Sequence, residues 1–360
     1  MLLAVFGVAM ATTAGLTPLV RVLSLRLGLY DPVMPRKLHT RPMSRLGGVA
    51  LFIGFVSAML VSWWLTRGGS LLVRDPFENL RMGLLLVGAT MLWIVSLIDD
   101  IWDLPPLPRL LWHFVCALVV VGPYLWEQQL YGADHQARGI IFTAFNNPFT
   151  NGQINFHALN PWLAIGVTLF WIVGMTNTVN MIDGLDGLAA GVTLIAATVL
   201  AIHTIQLNQY TVALLPLALA GVCCGFLPYN FHPARIFMGD SGAMVLGYLL
   251  AITAIIGGAK LASALLVLGI PILDSLWMVA YRRYSGGHLM RADRQHLHHR
   301  LLDLGLSQRQ VVLLYYAVGT IFGALALLPA GYGLLKLGGL ALLMILLVGA
   351  LFYVTRRTPR

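Results

Sequence analysis

The chain has 360 residues, of which 58% are hydrophobic and only 10% charged, with a mean hydropathy of +0.81. That balance excludes an ordinary soluble enzyme and a disordered chain, and places the protein among integral membrane proteins. The net charge of +9 comes from Lys and Arg on the flanks of apolar runs, so it reads as membrane topology and argues against a nucleic-acid partner.

A spanning helix needs roughly 20 mostly apolar residues. In chain order such runs fall at about 1–23, 47–66, 82–98, 109–126, 161–179, 188–206, 211–228, 242–259, 261–281, 311–331 and 333–355. They predict an all-α polytopic membrane protein of about 11 transmembrane helices. The first run is too long for a signal peptide and lacks a small-residue cleavage site, so it is expected to remain as a helix. The polar stretch 127–160 carries short alternating pieces such as Gly139-Ile-Ile-Phe-Thr143 and is expected to form an exterior hairpin. Cys116, Cys223 and Cys224 lie within runs and read as packing residues. With no soluble segment and no internal repeat, the expectation is one membrane domain over 1–360.

Of the 23 Lys and Arg, 17 lie on one set of loops, from Arg21 and Arg26 to Arg356 and Arg357. The excess of cations on cytoplasmic loops then places the N-terminus in the periplasm and the C-terminus in the cytoplasm.

Against this background, 14 acidic residues are few, and seven of them fall in or beside apolar runs: Asp99, Asp100, Asp103, Asp183, Asp186, Asp240 and Asp274. Carboxylates are costly next to lipid and usually functional there. Asp99-Asp100 ends the third run, Asp183-Gly-Leu-Asp186 ends the fifth, Asp240 follows the seventh, and His296-Leu-His298-His299 follows the ninth. All are ends of odd-numbered runs, so four loops bring Asp, Asn and His to one face of the membrane, the cytoplasmic one. Asp99 and Asp103 would share a face if the helix continued before Pro105-Pro106 stops it.

In Asn177-Thr-Val-Asn180-Met-Ile-Asp183-Gly-Leu-Asp186, polar residues recur every third position, and carboxamide and carboxylate oxygens suit a hard cation such as Mg2+. Asp240, between Gly239 and Ser241, opens the eighth run as a helix cap or beside a phosphate. Asp274, two turns before Arg282, reads equally as a buried partner for another helix or as a catalyst. Around the histidines, Arg291, Arg294 and Arg300 favour phosphate recognition over a zinc site. Leu297, Leu301 and Leu304 predict an interfacial helix that sets His296 and His299 on one face and His298 elsewhere. Lys37, in the Pro- and Gly-rich first loop, suits a phosphate or a lipid headgroup.

The ordered set Arg36-Lys37-Leu-His39, Asp99-Asp100, Asn177 to Asp186, Met238-Gly-Asp240 and His296 to His299 resembles the polyprenyl-phosphate N-acetylhexosamine-1-phosphate transferases over nearly the whole chain. That family includes the phospho-N-acetylmuramoyl-pentapeptide transferases, which typically have three consecutive histidines. Leu297 interrupts the histidines here, which is similar to the branch that loads N-acetylglucosamine-1-phosphate onto undecaprenyl phosphate for O-antigen, enterobacterial common antigen or teichoic acid.

The resemblance implies an inner-membrane enzyme in which undecaprenyl phosphate attacks a UDP-N-acetylhexosamine and UMP leaves, with homodimerisation as a family expectation. It implies Mg2+, with Mn2+ as a substitute, held by Asn180 and Asp240. Asp99 and Asp100 would lie beside the lipid phosphate as catalytic residues. Asp183 and His296 would be further catalytic residues, with His296 facing the diphosphate or the sugar. Asn177, Asp186, Lys37, Arg282, Arg294, His298 and His299 would bind substrate. An ion-coupled transporter is the competing class, but carriers bind near the bilayer midplane and only Asp274 lies there. An assembly scaffold would leave the convergence of Asp, Asn and His without a purpose.

Overall fold

The computed structural model describes residues 1–31, 42–67, 72–126, 139–146, 153–257, 268–284, 296–329 and 332–357. Among these, nine helices are long and apolar enough to cross a membrane: α1 (Leu2–Arg26), α2 (Gly47–Leu65), α3 (Pro76–Trp102), α4 (Pro106–Trp126), α6 (Pro161–Ile182), α7 (Leu188–Gln206), α8 (Tyr210–Asn230), α9 (Gly239–Ile256) and α12 (Gln308–Ala326). They coincide with nine of the expected runs. The run at 261–281 is described only from residue 268, where α10 spans Gly269–Tyr284, and the last run is α13 (Gly333–Arg357). Two short helices, α5 (Phe156–Leu159) and α11 (Leu297–Asp303), complete the set. A polytopic all-α membrane protein is therefore what the chain forms, as lipid requires of segments that must satisfy their own backbone.

Local chemistry sets several helix starts. Asp75 caps α3, its carboxylate accepting from Phe77 N at 3.1 Å with Pro76 in the first turn, and Asn160 does the same for α6 ahead of Pro161. Ser307 and Gln310 form a reciprocal capping box on α12. The expected hairpin is present: β3 (Ala144–Asn146) pairs antiparallel with β4 (Gln153–Asn155). A smaller pair, β1 (Tyr30–Asp31) and β2 (Met43–Ser44), follows α1. The three cysteines are free, with Cys116 and Cys223 buried.

The centre of the bundle is α9, which packs on α2, α3, α6, α7 and α8 and is apolar on every side from Ala243 to Ala254 apart from Tyr248 and Thr253. Trp171 of α6 donates its indole N–H to the Ala251 carbonyl at 3.1 Å, pinning the two helices midway. The helices alternate in direction, so their ends form two polar layers. At one end Thr211 of α8 donates to Glu78 of α3 at 3.1 Å, and Arg74 donates to Ser62 of α2. At the other end lie the C-termini of α3 and α6 and the N-termini of α4 and α9, and the acidic residues collect there.

One sequence expectation about this end fails. The helix does not continue to place Asp99 and Asp103 on one face: α3 stops at Trp102, and Asp103 takes a left-handed conformation with φ 47 and is exposed. Asp99 causes the stop, its Oδ1 accepting from Leu104 N at 2.7 Å, five residues on. Pro106 then opens α4.

Candidate active site

Asp99, at the end of α3, is buried at 3% exposure, and its Oδ2 accepts from Arg109 Nη1 at 2.7 Å. The same nitrogen donates to Asp240 Oδ2 at 2.9 Å, so one guanidinium ties α3 to α9 from its place in the first turn of α4. The other oxygen of Asp240 accepts from Asn180 Nδ2 of α6 at 3.1 Å. Four helices thus meet through Asp99, Arg109, Asp240 and Asn180. The sequence reading put Asp99 with a lipid phosphate and Asp240 with a metal, but the geometry joins the two.

Asp100 faces the same centre and does different work. Its oxygens accept from Asp240 N at 2.7 Å and Ser241 N at 3.0 Å, two of the free N–H groups in the first turn of α9. Asp100 rather than Asp240 caps that helix, and the helix N-terminus anticipated for a phosphate is filled by this carboxylate. Beside Asp100 lies a cavity of about 180 Å³, bounded by Asp103 and by Asp31 and Arg45, which form an ion pair at 2.6 Å.

Asp183 is the residue after α6 and is partly exposed. Its carboxyl is held well above the usual carboxylate range, first by desolvation and then by the charges of Asp240, Asp100 and Asp186. Asp186 is turned away from the cluster: its Oδ2 accepts from Ala234 N at 3.0 Å and meets His232 Nδ1 at 2.8 Å. Asp186 thereby fastens the loop after α8 to the loop after α6.

Asn177 sits one turn before Asn180 and donates to the Val173 carbonyl at 2.7 Å, with its Nδ2 3.1 Å from His113 Nδ1 of α4.

The histidines differ from the expected face. His296 precedes α11 instead of lying within it, and its ring stacks parallel to that of His298, with centroids 5.6 Å apart. Asp274, wholly buried on α10, accepts from His296 Nδ1 at 3.1 Å and from Leu297 N at 2.9 Å, so the partner of Asp274 is the start of α11. His298 is buried against Gly184, where a Cβ would come within 2.5 Å of its Nε2. This contact seats the histidine segment on the Asp183–Asp186 loop. Burial, then His299 and His296, hold the His298 imidazole well below its ordinary range, so it stays neutral. His299 is half-buried, its ring 4.3 Å from that of His298. Lys37 and Arg294 lie outside the described residues, as does the side chain of Arg282.

Sequence reasoning missed three contributors: Arg109, counted only as a basic flank, His113 and His232. Arg109 and His113 were within reach of it, being a cation and an imidazole one turn apart at the start of an otherwise apolar run.

Fold and site together define a polytopic membrane protein with a carboxylate-rich polar centre at one end of its helix bundle. Residues 82–258 match the family described as Glycosyl transferase family 4. The chain is 32% identical over 328 residues to a probable undecaprenyl-phosphate N-acetylglucosaminyl 1-phosphate transferase of Bacillus subtilis, covering 89% of this chain and 83% of that protein. It is 35% identical over 332 residues to the decaprenyl-phosphate N-acetylglucosaminephosphotransferase of Mycolicibacterium smegmatis, covering 85% and 77%. It is also 31% identical over 340 residues to the phospho-N-acetylmuramoyl-pentapeptide-transferase of Desulforudis audaxviator, covering 89% and 96%. The chain belongs to the polyprenyl-phosphate N-acetylhexosamine-1-phosphate transferase family, and is a multi-pass bacterial membrane enzyme that transfers a sugar phosphate.

Proposed function

We propose that this enzyme transfers N-acetylglucosamine-1-phosphate from UDP-N-acetylglucosamine to undecaprenyl phosphate at the cytoplasmic face of the inner membrane, as the first membrane step of cell-surface polysaccharide synthesis. The relatives named for N-acetylglucosamine transfer support the donor. The observation that carries the chemistry is the Arg109 bridge between Asp99 and Asp240, because it sets a cation among carboxylates where two anionic substrates must meet.

The acceptor phosphate has a second pKa of about 6, so its attacking oxygen is mostly ionised at neutral pH and needs no strong base. That oxygen bonds to the β-phosphorus, the bond from the β-phosphorus to the bridging oxygen breaks, and UMP leaves with the electron pair. Arg109 takes up phosphoryl charge that builds in this step. Asp99 holds Arg109 in place, and Asp100 holds the N-terminus of α9 and with it Asp240.

The donor set fits a hard divalent cation. Asp99 and Asp240 share the Arg109 guanidinium, and the like charges of Asp240, Asp100 and Asp186 acting on Asp183 are of the kind a cation relieves. Mg2+ commonly takes one or two protein carboxylates and fills its shell with substrate phosphate and water. Asn180 and Asp240 are the residues assigned to Mg2+, or to Mn2+ in its place. Bound there, the ion would neutralise diphosphate charge.

Purified enzyme is expected to release UMP only when UDP-N-acetylglucosamine, undecaprenyl phosphate and a divalent ion are all present. Full turnover in excess EDTA would remove the metal assignment. Mass spectrometry of the lipid product across a panel of UDP-sugars decides the donor. A product formed from UDP-N-acetylmuramoyl-pentapeptide, the reading favoured by the Desulforudis relative, would replace the N-acetylglucosamine assignment.

A further inference from the structure

The polar centre contains a buried side chain with an unused donor. His113 is 2% exposed and lies on α4 four residues after Arg109, so the two side chains share a face of that helix. Its Nδ1 meets Asn177 Nδ2 at 3.1 Å, while its Nε2 is buried without a partner among the described residues.

The protonation of this imidazole follows from its neighbours. Asn177 Nδ2 also donates to the Val173 carbonyl at 2.7 Å. Turning the amide over would set two carbonyl oxygens against each other at that distance, so the amide is fixed with its nitrogen toward both Val173 and His113. His113 Nδ1 must then accept, and the proton of the neutral ring resides on Nε2. Both hydrogens of Asn177 Nδ2 are used, which leaves Asn177 Oδ1 as an acceptor. A buried N–H with no acceptor is costly and rare in folded proteins. Here it occurs one helical turn from the guanidinium that joins Asp99 to Asp240. An incoming acceptor that reaches the Arg109 face of α4 would satisfy the Nε2–H and lie beside the guanidinium.

We infer that His113 is a further substrate-binding residue, whose Nε2–H donates to a phosphoryl oxygen placed beside Arg109. The inference rests on the proposed function for the origin of that oxygen, which belongs to the diphosphate of the nucleotide sugar or to the phosphate of the lipid acceptor. His113 also acts as a positioning residue for Asn177, since it fixes which end of that amide faces the site.

The test compares His113→Gln with His113→Leu in the purified full-length enzyme. Gln retains an N–H and an acceptor oxygen on a side chain of similar reach, whereas Leu keeps bulk and loses both. A hydrogen bond to a charged group corresponds to about a ten- to hundred-fold change in an equilibrium or rate constant. For His113→Leu we expect kcat/KM to fall by that factor, and for His113→Gln to stay within about fivefold of the unsubstituted enzyme, with thermal unfolding little changed in either. A rise confined to the KM of UDP-N-acetylglucosamine assigns the oxygen to the diphosphate, and one confined to the KM of undecaprenyl phosphate assigns it to the lipid.

Calorimetric binding of inorganic diphosphate is measured in parallel and reads phosphoryl affinity without turnover. Weaker binding by the Leu variant and retained binding by the Gln variant would support the role of His113 even if the unsubstituted enzyme failed to release UMP, which would sink the proposed function alone. Equal losses in both variants, no loss in the Leu variant, or no diphosphate binding by the unsubstituted protein would overturn the inference. Should the Leu variant not fold, the Gln variant decides: a loss beyond about tenfold in diphosphate affinity overturns it, and near-native affinity upholds it.

Discussion

Arg109 donates to Asp99 and to Asp240 through the same nitrogen, which makes it a point charge at this site more than a planar fork. The usual penalty for exchanging Arg with Lys arises from lost bidentate geometry, and that geometry is not in use here. Arg109→Lys is therefore expected to keep turnover within about tenfold, while Arg109→Gln should lose about 10²–10³-fold in kcat, the scale for removing one charge-stabilising donor. UMP-release kinetics check both, and equal losses would show that the fork itself is needed. The titrating groups beside this cluster make a second residue-scale prediction. His298 has a depressed folded pKa, so between that value and its unfolded pKa of about 6.5 the unfolded chain holds the extra proton, and stability is lost as pH falls below about 6.5. Asp183 has a raised folded pKa, so its contribution runs the other way: stability is lost as pH rises above its unfolded value of about 3.9. Thermal unfolding of metal-free protein from pH 7.5 to 5.5 should show a shallower acid loss in His298→Gln and a steeper one in Asp183→Asn. The reverse order would refute both directions.

The α9 N-terminus shows how an element is set by residues distant in sequence. Gly239 has φ +69, and a Cβ there would meet the Arg45 carbonyl and come within 2.7 Å of the Asp100 carboxylate. Glycine is needed at this position for its conformation and for the space it leaves, and the space is what lets Asp100 reach the N–H groups of Asp240 and Ser241. Asp100→Asn keeps an acceptor oxygen and should cost about 0.5–1 kcal/mol, as for a weakened helix cap. Gly239→Ala adds backbone strain and displaces the cap, so its melting temperature in detergent should fall further and its turnover should fall with it. If Gly239→Ala proved the milder change, the cap would not depend on that approach. Little of this was readable in the sequence. The apolar runs announced the helices because a spanning segment must be apolar along most of its length, whereas the cap on α9 lies 140 positions from the residue it bonds. Asp103 was misplaced for a related reason: periodicity extends a helix until something stops it, and the stop came from the Asp99 side chain turning back on Leu104 N, which leaves no mark in the pattern.

At the scale of the molecule, topology carried most of the site. Odd-numbered runs ending in Asp, Asn or His predicted convergence at one end, and Asp99, Asp100, Asn180, Asp183 and Asp240 do meet there. Asp186 does not join that cluster, because its partner His232 lies on a loop whose course no local signal describes. Asp274, ambiguous as a lone carboxylate in an apolar run, resolved only when folding brought His296 to it. The proposed cytoplasmic placement of the cluster rests on charge asymmetry and on chemistry together. A UDP-sugar carries a charged diphosphate that cannot cross hydrocarbon unaided, so an active enzyme must open its polar end to the compartment that holds the donor. Single cysteines test this orientation at exposed positions: Asp103→Cys and Asp303→Cys at the site end, and Gln206→Cys at the other. The native Cys116 and Cys223 are buried, and Cys224 is replaced by Ala to keep the background silent. A membrane-impermeant thiol reagent is expected to label Gln206→Cys from the outside of intact cells, and Asp103→Cys and Asp303→Cys only in inverted vesicles. Labelling of Asp103→Cys from outside would reverse the orientation, put the carboxylate cluster in the periplasm, and separate it from the nucleotide sugar that the proposed reaction requires.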